Sequence, residues 1–168
     1  MNFRAYIFLL LAIIFQLSLA WRFDFLAVAP NLILAIVVAL AAIGDFKRIW
    51  LVFFSGLVLD ILAGRIFGIF VLSFLICFVL VRWLSKNLLK RNNFLSFFVL
   101  SAAGVLTFEL TRFFLIKLAA ILLPINYLLL AGDFFKYTLP ISFLINSILS
   151  GLIIFIFYKW NFFPKAEN

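Results

Sequence analysis

The chain has 168 residues with a formal net charge of +8; 68% of them are hydrophobic, 12% are charged, and the mean hydropathy is +1.32. A soluble domain of this size needs far more charge on its surface, whereas a bilayer accepts an apolar exterior, so the composition excludes an ordinary soluble enzyme. The chain has no histidine and one cysteine, Cys77, which argues against zinc sites, histidine-based triads and a disulfide framework. We predict an all-α integral membrane protein with a single transmembrane domain, residues 1–168.

Six apolar stretches predict transmembrane helices, and none of them alternates like a strand of a β-barrel. The predicted spans are residues 5–21, 25–44, 49–63, 66–84, 94–123 and 137–158. The first lacks the small-residue cleavage site of a secretory signal, so we expect it to remain in the mature chain. A bilayer core of about 30 Å takes about 20 helical residues, which makes the third span short and the fifth long enough to tilt or break. The third and fourth spans are joined by AGRIFG, whose glycines suit a tight turn between neighbouring helices.

Lysine and arginine in the connections predict that both termini lie in the cytoplasm. In that orientation the cytoplasmic segments hold Arg4, Lys47, Arg48, Arg82, Lys86, Lys90, Arg91, Lys159 and Lys165, and the outer segments hold only Arg22, Arg65 and Lys136. The positive charge is therefore interpreted as a topology signal, and no nucleic-acid partner is expected. The segment RWLSKNLLKRNN is typical of a basic helix end, although it also suits anionic lipid or a cytoplasmic partner.

The stretch SGLVLDILAGRIFG, residues 55–68, places Asp60 inside an almost unbroken apolar run. Helical spacing aligns Asp60 with Gly56, Gly64 and Gly68 if the helix continues that far, and small residues let another backbone approach closely. An ionised carboxylate is costly against lipid, so we expect Asp60 to face a helix, a polar cavity or the outer interface, or to be protonated. Our hypothesis is that it accepts hydrogen bonds within the bundle or from a partner and stabilises the turn; the alternative is an interfacial cap.

Two further polar groups lie in the last two spans. Glu109 and Arg112 are three residues apart and can pair on one helical face, either at a functional site or as a structural ion pair. Every fourth residue of the last span is polar: Thr138, Ser142, Asn146 and Ser150. These side chains should point into the bundle, where helix packing is favoured over a ligand pocket.

The acidic residues are too few for most hydrolytic chemistry. Only Asp60 and Glu109 lie within or beside the spans; the others, in predicted loops or the tail, are Asp24, Asp45, Asp133 and Glu167. A paired-carboxylate enzyme or a proton-coupled carrier would depend on those two alone. We therefore predict no enzymatic activity, no metal and no cofactor.

Residues 30–72, PNLILAIVVALAAIGDFKRIWLVFFSGLVLDILAGRIFGIFVL, resemble the bacterial rod shape-determining protein family MreD. That family opens its second helix with proline followed by Asp or Asn, here Pro30 and Asn31. A glycine and a short loop follow, here at Gly44. The matching GLxxDxxxGxxxG-like run consists of Gly56, Leu57, Asp60, Gly64 and Gly68.

The resemblance implies a non-enzymatic component of the bacterial inner membrane that belongs to the cell-elongation machinery. Family members associate with the single-span protein MreC and, through it, with MreB filaments, the RodA glycosyltransferase and a penicillin-binding transpeptidase. On this interpretation Gly56, Asp60, Gly64 and Gly68 hold the fold or seat a partner helix.

The same six-helix plan is similar to the substrate-binding S components of energy-coupling factor vitamin transporters, which supplies a second hypothesis. The polar groups of the last two spans would then outline a pocket that is open to the outside. Those proteins often carry small AxxxA patterns on the first helix, and YIFLLLAIIFQLSLAW has no such pair. Transport is therefore an analogy at the level of the fold.

Overall fold

The computed structural model describes residues 14–16, 30–43, 46–63, 67–88, 94–122 and 133–159. Every regular element in these ranges is helical, which confirms the all-α prediction. The helices are α1 (Leu32–Ile43), α2 (Ile49–Ala63), α3 (Ile69–Leu88), α4 (Phe94–Leu122) and α5 (Leu139–Lys159). A 3₁₀ turn, Phe46–Arg48, precedes α2, and a π-helical turn, Phe134–Thr138, leads into α5.

Four predicted spans coincide closely with α2 to α5, and α4 is one unbroken helix of 29 residues. The second span, predicted at 25–44, overlaps α1, which begins only at Leu32. The first span lies outside the described residues except for the helical residues 14–16. By length and composition, two described segments can cross a membrane: Ile69–Lys86, with mean hydropathy 2.0, and Phe134–Lys159, with 2.2. The six crossings stay a prediction.

Helix α1 occupies the centre of the bundle. Its residues from Ile33 to Ala42 are at most 4% exposed, and α3, α4 and α5 all contact it. A helix that is apolar on every side has no face to offer to water and is stable only inside a protein or in lipid; here other helices surround it. In contrast, α2 lies at the edge, where its main neighbour is α3.

Two glycines allow close approach between these helices. A β-carbon on Gly56 of α2 would lie 2.7 Å from the Cα atom of Val71 in α3. A β-carbon on Gly104 of α4 would lie 2.8 Å from a methyl group of Val81 and 2.9 Å from one of Val38. Such short separations show that the missing side chains set the spacing of α2 from α3 and of α4 from α3 and α1.

Large apolar side chains are exposed on the outer face of each helix around α1. Examples are Trp50, Phe54, Leu72, Ile76, Leu95, Phe114, Leu144 and Ile148. A protein surrounded by water rarely exposes so much contiguous apolar surface, whereas lipid covers it at no cost. The exterior therefore suits a bilayer.

We expect Gly56→Ala to lower the melting temperature in detergent, because the added methyl group meets the backbone of Val71 and must push α2 away from α3. Overpacking of this kind typically costs about 1–3 kcal/mol. The control is Val58→Ala, a substitution at a half-exposed position of the same helix. Equal melting temperatures for Gly56→Ala and the wild type, measured by tryptophan fluorescence, would contradict the close approach.

Candidate functional site

The first turn of α1 is capped by its own sequence. Asn31 precedes the helix, and its side-chain Oδ1 accepts a hydrogen bond of 2.9 Å from the backbone N–H of Leu34. The carbonyl oxygen of Asn31 accepts the first helical bond, from Ala35 N at 3.1 Å. Asparagine is among the best residues at this position because its short side chain reaches the third N–H group of the helix. One of the free donors of the helix end is thereby satisfied.

Two distant side chains satisfy further donors at the same helix end. The backbone N–H of Asn31 donates to Asn146 Oδ1 at 2.7 Å, and that of Leu32 donates to Gln16 Oε1 at 2.7 Å. Gln16 also donates from Nε2 to the carbonyl oxygen of Pro30 at 3.0 Å. Where water has little access, a backbone group left without a partner costs about 1–3 kcal/mol, so these side chains stabilise the helix end.

A chain of buried side chains continues from Asn146 into α4. Asn146 Nδ2 donates to Ser142 Oγ at 3.0 Å, and the Ser142 hydroxyl donates to Glu109 Oε1. The other carboxylate oxygen, Glu109 Oε2, lies 2.7 Å from Arg112 Nη2, which confirms the predicted pairing of these two residues. We call this set of residues, Gln16, Asn31, Asn146, Ser142, Glu109 and Arg112, the polar network.

Most of the polar network is shielded from the surroundings. Glu109, Ser142 and Asn146 are at most 2% exposed, whereas the side chain of Arg112 is 27% exposed. The guanidinium group of Arg112 also lies 5.7 Å from the centre of the Phe108 ring. A buried carboxylate is tolerable only when it is paired and hydrogen-bonded, and here both oxygens have a partner.

The polar face predicted on the last span points inward, as the sequence indicates. Ser142, Asn146 and Ser150 are buried, and Ser150 Oγ donates to the Asn146 carbonyl oxygen at 2.6 Å. Thr138 is half-exposed because it lies in the π-helical turn at the edge of the bundle. On α4, Ser101 Oγ donates to the Ser147 carbonyl oxygen at 2.5 Å and ties α4 to α5.

The polar network lies at one level of the bundle. Asn146 is 13 residues from the end of α5 at Lys159, which corresponds to about 20 Å, and Glu109 is 15 residues from the start of α4, about 22 Å. These two helix ends are adjacent, because the Phe97 and Tyr158 rings are 5.1 Å apart. The 12 residues of α1 cover about 18 Å from the same level. Helix α1 is therefore shorter than a bilayer core of about 30 Å and begins inside the bundle.

Asp60 caps the start of α3 from the neighbouring helix. Its Oδ2 accepts hydrogen bonds from the backbone N–H groups of Gly68 at 3.0 Å and Val71 at 3.2 Å, and its Oδ1 accepts one from Phe70 at 2.9 Å. Gly68 begins the helix, since its carbonyl oxygen accepts from Leu72 N at 3.0 Å, and it has no side chain to serve as a cap. Asp60 is 3% exposed and supplies the missing oxygen atoms, and its negative charge suits the positive end of the α3 dipole.

The four-residue face from Gly56 to Gly68 is expected only if the helix continues that far, and it does not. Helix α2 stops at Ala63, so Gly68 lies in the turn and not on the α2 face, and its φ of +97° is a conformation that glycine adopts readily. Gly64 lies outside the described residues. The close contact of Gly56 is made within the chain, against Val71.

Sequence reasoning missed Gln16, which joins the first span to the start of α1. Its signal was an uncharged amide in the middle of an apolar stretch, IIFQLSL, where a polar group needs a partner. Among the residues that the structure describes, no three side chains of the types Cys, His, Asp and Glu gather to hold a metal ion.

A model of the family described as rod shape-determining protein MreD matches residues 2–163. The chain belongs to the MreD family. Searches among curated proteins and among solved structures found no match. MreD proteins are membrane proteins that determine rod shape, and the family is not known for catalysis.

Each of the two motifs that carry the MreD resemblance supplies hydrogen-bond acceptors or backbone groups at the start of a helix. Pro30 and Asn31 begin α1, where the polar network satisfies the backbone donors. Gly68 begins α3, and Asp60, which lies near the end of α2, caps that start. The motif residues of this MreD chain therefore do the same physical task at two places.

For Asp60 in this MreD chain we expect a graded response. Asp60→Leu leaves three backbone N–H groups without an acceptor, at about 1–3 kcal/mol each, and should greatly reduce the melting temperature and the amount of folded protein in membranes. Asp60→Asn keeps one oxygen and should be partly tolerated. A wild-type melting profile and wild-type abundance for Asp60→Leu would show that the cap is dispensable.

For the ion pair of this MreD chain we expect the double variant to be more stable than the single one. Arg112→Gln leaves Glu109 as an uncompensated buried charge, a change that typically costs about 3–5 kcal/mol, whereas Glu109→Gln/Arg112→Gln removes both charges. Thermal melting in detergent measures both variants, with Lys136→Gln as the control at an exposed cation. A double variant that melts no higher than Arg112→Gln would show that the two charges are not coupled.

Proposed function

We propose that this chain is a multi-pass component of the bacterial inner membrane in the cell-elongation complex, with six spans and both termini in the cytoplasm. The observation that carries the proposal is the family match over residues 2–163. The exposed apolar side chains and the two membrane-length segments support the membrane location. The chain acts by holding other proteins, and no chemical step is assigned to it.

The distribution of charge and aromatic residues supports the proposed orientation. The end of the bundle where α1, α3 and α5 finish carries Lys47, Arg48, Arg82, Lys86 and Lys159. Trp50 and Trp83, each 65% exposed, lie at the same end. Exposed tryptophan is typical of the membrane interface, and an excess of lysine and arginine is typical of the cytoplasmic side.

We propose that the partner at the membrane is MreC and that MreB, RodA and the penicillin-binding transpeptidase are reached through it. Gly56, Gly104 and Gly151 are each packed against other residues of this chain, so they are not available as contact positions for a partner helix. The partner would instead meet large exposed side chains such as Phe54 and Ile76. In this arrangement Asp60 supports the partner surface indirectly, by fixing α2 against α3.

The alternative, a substrate-binding component of a vitamin transporter, would use the polar residues of α4 and α5 as ligands. In the described residues Glu109, Ser142 and Asn146 hydrogen-bond or pair with one another, with Arg112 and with the start of α1. A ligand would have to break these contacts to bind there. The polar network is therefore better suited to holding helices together than to binding a substrate.

The proposal is tested by co-purification of the tagged chain from its native membrane in mild detergent, with the recovered proteins identified by mass spectrometry. We expect MreC, together with RodA and the transpeptidase. Val58→Ala serves as the control that keeps the fold, and Asp60→Leu should recover less partner in proportion to its loss of folded protein. Recovery of a transporter membrane subunit with paired ATPases, and no MreC, would overturn the proposal in favour of transport.

A further inference from the structure

Basic and aromatic side chains gather where α2 begins and α3 ends. We define the basic rim as Lys47, Trp50, Arg82, Trp83 and Lys86. Lys47 and Lys86 are exposed, Arg82 is half-exposed, and both tryptophans are 65% exposed. Their role as a topology signal accounts for the side of the membrane on which they lie, but not for the exposure of cations and tryptophan rings together.

One ring contact places the turn before α2 against α3. The Phe46 and Phe78 rings are 6.2 Å apart, so the turn that carries Lys47 lies against α3. Arg82 lies four residues after Phe78, and Lys86 lies four residues after Arg82. Residues with this spacing are neighbours on one helical face, so Phe78, Arg82 and Lys86 lie along the same side of α3. Trp83 stands beside Arg82, on the side of α3 that is exposed to the surroundings. Lys47 of the 3₁₀ turn and the two cations of α3 thus lie toward the same end of the bundle.

The charge at this edge is unbalanced. The three acidic residues that the structure describes, Asp60, Glu109 and Asp133, lie toward the other end of the bundle, and the first two are engaged in caps or ion pairs. In the sequence, segments 45–48 and 82–91 contain six basic residues and one acidic residue, Asp45, which lies outside the described residues. An edge of this kind attracts anions, and most strongly anions with several oxygen acceptors.

We propose that the basic rim is a binding site for the phosphate headgroup of an anionic phospholipid. Lysine and arginine supply charged donors to the phosphate oxygens, and exposed tryptophan rings are typical of the depth where headgroup and acyl chain meet. A lipid at this position contacts α2 and α3 at once and stabilises the edge helix α2 against α3. Lipid binding at the basic rim does not involve MreC. The lipid site can therefore be disproved while the proposed function holds, and the proposed function can be disproved while the lipid site holds.

Lipid preference in nanodiscs tests this site. The purified full chain is placed in phosphatidylcholine alone or with added phosphatidylglycerol, and we measure the melting temperature and, by native mass spectrometry, the lipids retained. We expect the wild type to retain phosphatidylglycerol preferentially and to melt higher when it is present. Lys47→Gln/Lys86→Gln should lower the preference by about fivefold per lysine removed. Because both lysines are exposed, melting in phosphatidylcholine alone should not change.

The matched control removes two cations from the opposite end of the bundle, Lys117→Gln/Lys136→Gln, and should keep the preference. An equal loss in both double variants would overturn the site in favour of a response to net charge. An unchanged preference in Lys47→Gln/Lys86→Gln would also overturn it. If inorganic phosphate alone raises the melting temperature as much as the lipid, the ligand is a soluble anion. If no lipid is retained but an acidic protein partner binds the rim, the surface is a protein interface.

Discussion

The start of a helix inside an apolar bundle is the constraint on which the rest of this structure depends. A helix end exposes backbone N–H groups that water satisfies elsewhere, and in a bilayer core the protein must supply every acceptor itself. Helix α1 begins inside the bundle and α3 begins at the turn that follows α2, and each draws acceptors from other parts of the chain: Gln16 and Asn146 at α1, and Asp60 at α3. These contacts join segments that are far apart in sequence, so satisfying the donors also determines which helices are neighbours.

The two caps differ in what they connect. At α3 one carboxylate from the adjacent helix accepts three hydrogen bonds, so the contact is local and fixes α2 at the edge. At α1 the acceptors come from both ends of the chain, and the polar network extends to Arg112 on α4. Removing a member of the polar network therefore disturbs three or more helices at once. Apolar packing around α1 alone does not select one arrangement of helices, because most apolar side chains pack equally well against several neighbours, whereas hydrogen bonds with defined partners do.

The sequence predicts the helices well and the long-range contacts poorly. Apolar length located α2 and α4 almost to the residue, and the three-residue spacing of Glu109 and Arg112 was sufficient for their ion pair, because both features depend on local geometry. The partners of Asp60 and Asn146 depend on how the chain folds back, over separations of up to 11 and 115 residues, and spacing along the chain carries no information on that. The four-residue glycine pattern applies only while the helix continues, and the turn at Gly68, which the glycines of AGRIFG also indicated, ends it.

The resemblance to MreD rests on residues that work inside the chain, and this limits where a partner can bind. Asp60 is 3% exposed and its oxygens accept hydrogen bonds within the chain, and Gly56 is covered by Val71, so we expect a change at either position to act on assembly through the spacing of α2 and α3. Among the described residues, the exposed surface carries many large apolar side chains, with the basic rim and its two tryptophans at one end. Such a surface gives a neighbouring helix ample contact area but few directional contacts. Specific recognition of a partner then depends on the shape of the surface and on the positions of α2 and α3. Because Asp60 fixes these two helices, the buried motif determines a surface that it does not itself form.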